Sequence, residues 1–152
     1  MAILNYTTKI APEKTVMEIN AMLAKAGASK IMSDYDDTGN IVSLSFQLKL
    51  NDNFIAFTLP TDWRPVAEVM KKQGVASSRY AAKNSVEAQA RRTAWRITKD
   101  WVGAQLAIIE VKMVTTAQVF LPYAITNDGR SMWQYIGDNS KLLLDSGESG
   151  EK

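Results

Sequence analysis

The stretch IVSLSFQLKL, residues 41–50, constrains the fold more than any other part of the chain. Val42, Leu44, Phe46, Leu48 and Leu50 alternate with Ser43, Ser45, Gln47 and Lys49. A period of two with one polar face specifies an extended strand buried on one side, the mark of an antiparallel sheet. Such a strand needs hydrogen-bonded neighbours, and its flanks supply them. SKIMSDYD (29–36) precedes it across the turn DDTGN, and FIAFTL (54–59) follows it across NDN. ILNYTT (3–8) reads as a further short strand, so the expected sheet has four antiparallel strands.

The rest of the chain is helical in pattern. In PEKTVMEINAMLAKAG (12–27), Pro12 suits the first helical position and Gly27 the residue past the end. Val16, Ile19, Leu23 and Ala26 form its apolar stripe. Thr61 or Asp62 can cap a short helix that ends near Gly74. A loop of small and basic residues, VASSRYAAK (75–83), comes next. Asn84 and Glu87 then have the spacing of a capping box at the head of the longest helix, expected over about 85–113. Pro122 and TNDG (126–129) interrupt the chain before SMWQYI, which predicts one or two more turns. The order β-α-β-β-β-α-α-α predicts an α+β fold with helices on one face of the sheet. Residues 1–145 form one domain in this reading, and the small, charged end 146–152 is a disordered tail.

Composition excludes several chemistries. The 152 residues include no histidine and no cysteine. A Ser-His-Asp or Cys-His site therefore cannot be built from this chain alone, and disulfides are ruled out. No P-loop, G-x-G-x-x-G or G-x-S-x-G motif is present. We expect no catalytic residue, metal or cofactor. The N-terminus lacks a basic segment followed by an apolar run, and no stretch approaches the roughly 20 apolar residues that span a bilayer. These features predict a soluble, cytoplasmic protein with no membrane partner.

Charge is unevenly placed. Residues 64–112 hold ten Lys/Arg against four Asp/Glu, and the remainder hold eight against twelve. The basic excess centres on QARRTAWRITKDW (89–101). At 100° per residue, Ala90, Ala94, Ile97, Trp101, Ala104 and Ile108 share one stripe, with Arg92, Arg96 and Lys99 opposite and Arg91 and Trp95 on a flank. A solvated face is the ordinary explanation of such charges. Arginine beside aromatic rings can also hold phosphates and stack a base. The expected ligand-binding residues are Arg91, Arg92, Arg96 and Lys99 for phosphate, and Trp95 and Tyr80 for a base. Arg79 and Lys83 would close the loop. From Trp101 onward a second stripe, Val102, Leu106, Ile109 and Met113, makes the helix apolar on nearly two sides. Gly103 in its middle permits close approach of another backbone, which predicts a homo-oligomer through this helix.

Two further stretches have simpler explanations. Asp34, Asp36 and Thr38 match D-x-D-x-T of haloacid-dehalogenase-like phosphatases, but they lie between two strands of a meander, where Asp, Thr and Gly39 make a hairpin turn. A calcium loop would need a glutamate where Ser45 stands. Tyr123, after Pro122, reads as an aromatic plug over the core.

MAILNYTTKI, QARRTAWRITKDW and VFLPYAITNDG resemble a group of small phage and prophage proteins of Gram-positive bacteria, over residues 1 to about 144. The resemblance implies an accessory phage protein acting in the host bacterial cytoplasm. It is similar in size and coarse architecture to phage proteins that sequester the cyclic ADP-ribose signals of Thoeris defence, and to small anti-CRISPR proteins. The leading expectation is a non-enzymatic anti-defence sponge that sequesters a phosphate-bearing, nucleotide-derived signal. The alternatives are a nucleic-acid-binding factor of phage replication and an inhibitor docking on a host defence protein such as a CRISPR nuclease.

Overall fold

The computed structural model describes residues 3–74 and 83–142. It is an α+β arrangement of a three-stranded antiparallel sheet and five α-helices. In chain order these are α1 (Pro12–Lys25), β1 (Lys30–Tyr35), β2 (Ile41–Leu50), β3 (Asn53–Thr58), α2 (Trp63–Lys72), α3 (Lys83–Glu110), α4 (Thr116–Phe120) and α5 (Met132–Asp138). Short 3-10 turns occupy Leu121–Tyr123 and Ser140–Leu142. The expected disordered tail lies outside the described residues.

The expected fourth strand is not formed. Residues 4–7 are turns, with Asn5 at φ 64°, and the segment crosses α3 instead of joining the sheet. Its backbone groups find side chains on α3: the Gln89 amide donates to the Tyr6 and Thr8 carbonyls at 2.8 and 2.9 Å, and the Thr93 hydroxyl to the Asn5 carbonyl at 3.2 Å. A strand pattern six residues long cannot reveal that a helix will satisfy its backbone.

β2 is central, paired with β1 and β3. Its alternation holds from Leu44 to Leu48, and Leu44, Phe46 and Leu48 are buried. At its start the pairing passes from Asp34 opposite Ser43 to Tyr35 opposite Ile41, so Val42 is an extra residue. This bulge turns Val42 outward and brings Ile41 into the core in its place, reversing the expected face at that end. Asn51 and Asp52, at φ 49° and 67°, form the two-residue turn into β3, whose backbone matches the twist of a hairpin.

The dry face of the sheet meets α1 and α3. Val16, Ile19 and Leu23 of α1 and Trp95 and Val102 of α3 pack with Ile41, Leu44, Phe46, Phe57 and Phe120. Phe120 is fully buried, with ring centres 5.3 Å from Phe46, 6.1 Å from Phe57 and 5.9 Å from Trp101. Tyr123 is half-buried and packs edge-on to Trp101 at 5.5 Å, at the margin of the core. A smaller cluster of Ala67, Met70, Val86 and Ala90 joins α2 to the first half of α3.

Helix ends follow local chemistry. Asp62 caps α2 by accepting from the Arg64 backbone N–H at 3.0 Å. α3 begins at Lys83, so Asn84 lies inside the helix rather than at its cap. It stops three residues before the expected Met113, because Lys112 takes a left-handed conformation (φ 63°) and the Met113 N–H donates back to the Ile108 carbonyl at 3.0 Å. Thr115 with Gln118, and Ser131 with Gln134, form capping boxes that start α4 and α5.

Candidate functional site

The basic face of α3 is where the sequence pointed. Arg91 lies over the Trp63 ring, its guanidinium carbon 4.8 Å from the ring centre. Its Nη2 is 2.7 Å from Glu87 Oε1, one turn back, and 3.7 Å from Asp36 Oδ2 in the β1–β2 turn. Arg92 donates through Nε to the Thr8 carbonyl at 3.3 Å and through Nη2 to Gln89 Oε1. Arg96 Nη1 is 2.5 Å from Glu18 Oε2 on α1, and Lys99 Nζ is 3.7 Å from the same oxygen. The Arg96 hydrogen bond, with the positive charges of Arg96, Lys99 and Lys14, holds the Glu18 carboxyl below its ordinary range against the opposing effect of burial.

These contacts change what the cations can do. Three of them, Arg91, Arg96 and Lys99, meet the three carboxylates Glu18, Asp36 and Glu87. The excess seen along the chain is thus partly offset in space by Asp36 and Glu18, which come from outside that stretch. Arg92 and Gln89 instead tie the N-terminal segment across the helix, helped by Asn5 Nδ2 donating to Asp100 at 2.8 Å. A phosphate would have to displace a carboxylate already 2.5 Å from Arg96.

Trp95 is a plain correction. It is 2% exposed and belongs to the sheet-facing core, so neither ring face is open to a base. The spacing Trp95, Val102, Ile109 carried the signal, since residues seven apart lie on one helix face. Of the loop residues, Arg79 and Tyr80 lie outside the described residues, as does the side chain of Lys83. The four cations are drawn to separate places: Arg91 to Glu87 and Asp36, Arg92 to the Thr8 carbonyl, and Arg96 and Lys99 together to Glu18.

The D-x-D-x-T stretch is a hairpin turn. Asp36 Oδ1 accepts from the backbone N–H groups of Thr38 and Asn40, both at 2.9 Å, and from the Thr38 hydroxyl at 2.8 Å. Gly39 supplies φ +84°. The Asn40 and Thr38 hydrogen bonds lower the Asp36 pKa from 3.8 to about 2. Asp34 accepts from the Ser43 hydroxyl across the strands at 2.5 Å.

Two surfaces went unread in the sequence. The first is a groove of about 440 Å³ between the C-terminal halves of α1 and α3. Met22, Leu23, Leu48, Leu106 and Phe120 line it, with Lys25 and Glu110 at its walls. The second is the C-terminal unit around α5. Trp133 is 70% exposed there. Nearby in sequence, Arg130 lies 5.3 Å from the Tyr135 ring centre and bridges Asp128 at 2.8 Å and Asp138 at 2.6 Å. Hydrogen bonds from the Arg130 and Thr126 side chains hold the Asp128 carboxyl well below its ordinary range. Trp, Tyr and Arg are the residue types that dominate binding energy at protein interfaces. Among the described residues, no helix is long and apolar enough to cross a membrane. Comparison with family models, with curated proteins and with solved structures finds no match.

Proposed function

We propose that this chain is a non-enzymatic accessory protein of a phage or prophage that docks on a protein of the host cytoplasm and blocks it. Self-association through α3 belongs to the same proposal. The supporting observation is the division of the surface. Arg91, Arg92, Arg96 and Lys99 of α3 are engaged by Glu87, Asp36, Glu18 and the Thr8 carbonyl, whereas Trp133 stays exposed three residues from Arg130, which pairs with Asp128 and Asp138. A solvent-facing tryptophan contributes nothing to the core, and burying it against a partner would add about 2 kcal/mol or more to binding. Sequestration of a nucleotide-derived signal is less well supported, because it requires those carboxylates to give way to phosphate.

Native mass spectrometry of the protein recovered from a host lysate separates the readings. We expect a stoichiometric complex with one protein, lost in Trp133→Ala while the fold and the self-association persist. A retained small molecule that disappears in Arg96→Ala would restore the signal-sponge reading. A DNA or RNA complex that weakens steeply with salt would restore the replication-factor reading.

A further inference from the structure

Gly103 stands inside a 28-residue helix, where glycine costs about 1 kcal/mol against alanine. Packing among the described residues gives no reason for it. A Cβ built on Gly103 meets only Met22 Sδ within 4 Å, at 3.8 Å, an ordinary contact. The missing side chain faces the groove between α1 and α3. The walls of that groove carry opposite charges, Lys25 on α1 and Glu110 on α3, and neither is ion-paired among the described residues. Residues 101–109 contain no charged side chain, yet Ala104 and Ala107 lie exposed along this end of the helix, as does Val111 just past it.

We infer that the groove receives a second copy of this chain, the C-terminal half of α3 from each protomer entering the groove of the other. The charge pattern selects this occupant. A two-fold axis places each surface patch against its own copy, so residue i meets j and j meets i. Lys25 then faces the partner's Glu110 while Glu110 faces the partner's Lys25, and one unpaired lysine and one unpaired glutamate satisfy each other twice. The bare Cα at Gly103 lets the helices approach toward the close end of the usual 8–10 Å range. The inference rests on the self-association proposed above and assigns its site; it is independent of docking through Trp133.

Native mass spectrometry and light scattering across the micromolar range test it. The wild-type chain is expected to be a dimer. Gly103→Leu fills the groove and is expected to give a folded monomer, since the Cβ position is open. Lys25→Glu and Glu110→Lys each break two ion pairs and should weaken the dimer about ten-fold. The double variant Lys25→Glu/Glu110→Lys should restore it, a readout that needs no correctly folded Gly103→Leu protein. A wild-type dimer indifferent to all of these changes overturns the assigned site while self-association stands. A wild-type monomer overturns both, including one that carries a small apolar molecule in the groove.

Discussion

Replacing Phe120 with alanine tests whether the C-terminal unit is an integral part of the core. The ring is fully buried and meets Phe46, Phe57 and Trp101 at 5.3, 6.1 and 5.9 Å. Removing a ring so enclosed forfeits its transfer energy and leaves a cavity, together about 3–5 kcal/mol. That is a large share of the roughly 5–15 kcal/mol that stabilises a domain. With a urea slope of about 2 kcal/mol/M, a loss of about 4 kcal/mol lowers the unfolding midpoint by about 2 M. Urea denaturation followed by far-UV circular dichroism is the assay. Phe54→Ala is the control, because Phe54 is 58% exposed and its loss should stay within about 0.5 kcal/mol. A Phe120→Ala loss under about 1.5 kcal/mol at unchanged slope would refute the reasoning, since the ring would then be supporting only a detachable end.

Gln89→Ala leaves the Tyr6 and Thr8 carbonyls without their amide donor and should cost about 1–3 kcal/mol. Hydrogen exchange should show faster exchange across residues 5–8. Asp52→Gly relieves a left-handed conformation at φ 67° in the β2–β3 turn, and should raise stability by about 0.5–1 kcal/mol in urea titrations. The folded-state pKa of Asp36 lies below its unfolded value, so its contribution is present above about pH 4. That contribution is lost as pH falls from 3.8 toward about 2. Asp36→Asn should therefore flatten the acid limb of a stability-against-pH curve across that interval.

What the sequence disclosed depended on range. β2, β3 and the span of α1 were legible because their periodicities are local, and the turn at Asp36 and Gly39 was legible from its own residues. The bulge at Val42 was not, since it is a property of two strands in register. The segment 3–8 misled because alternation records which side chains want burial, not which partner satisfies the backbone. Glu18 and Arg96 are 78 residues apart, so no window of sequence could display their pairing. The acidic excess outside residues 64–112 was the available hint: a basic helix in a nearly neutral chain has carboxylates elsewhere to meet it. The groove was invisible for the same reason, being the space left between two helices, although Gly103 marked one wall.

The strap formed by residues 5–8 also governs when this molecule can finish folding. The Asn5 carbonyl waits for a hydroxyl 88 residues further along. At about 5–20 residues per second, synthesis separates their emergence by about 4–18 s. For about the last 2–7 s of that interval, after β3 has emerged at Thr58, the newborn sheet and α1 have no α3 to cover them, so apolar side chains on nascent β2 and β3 are open to chaperones before the domain can close.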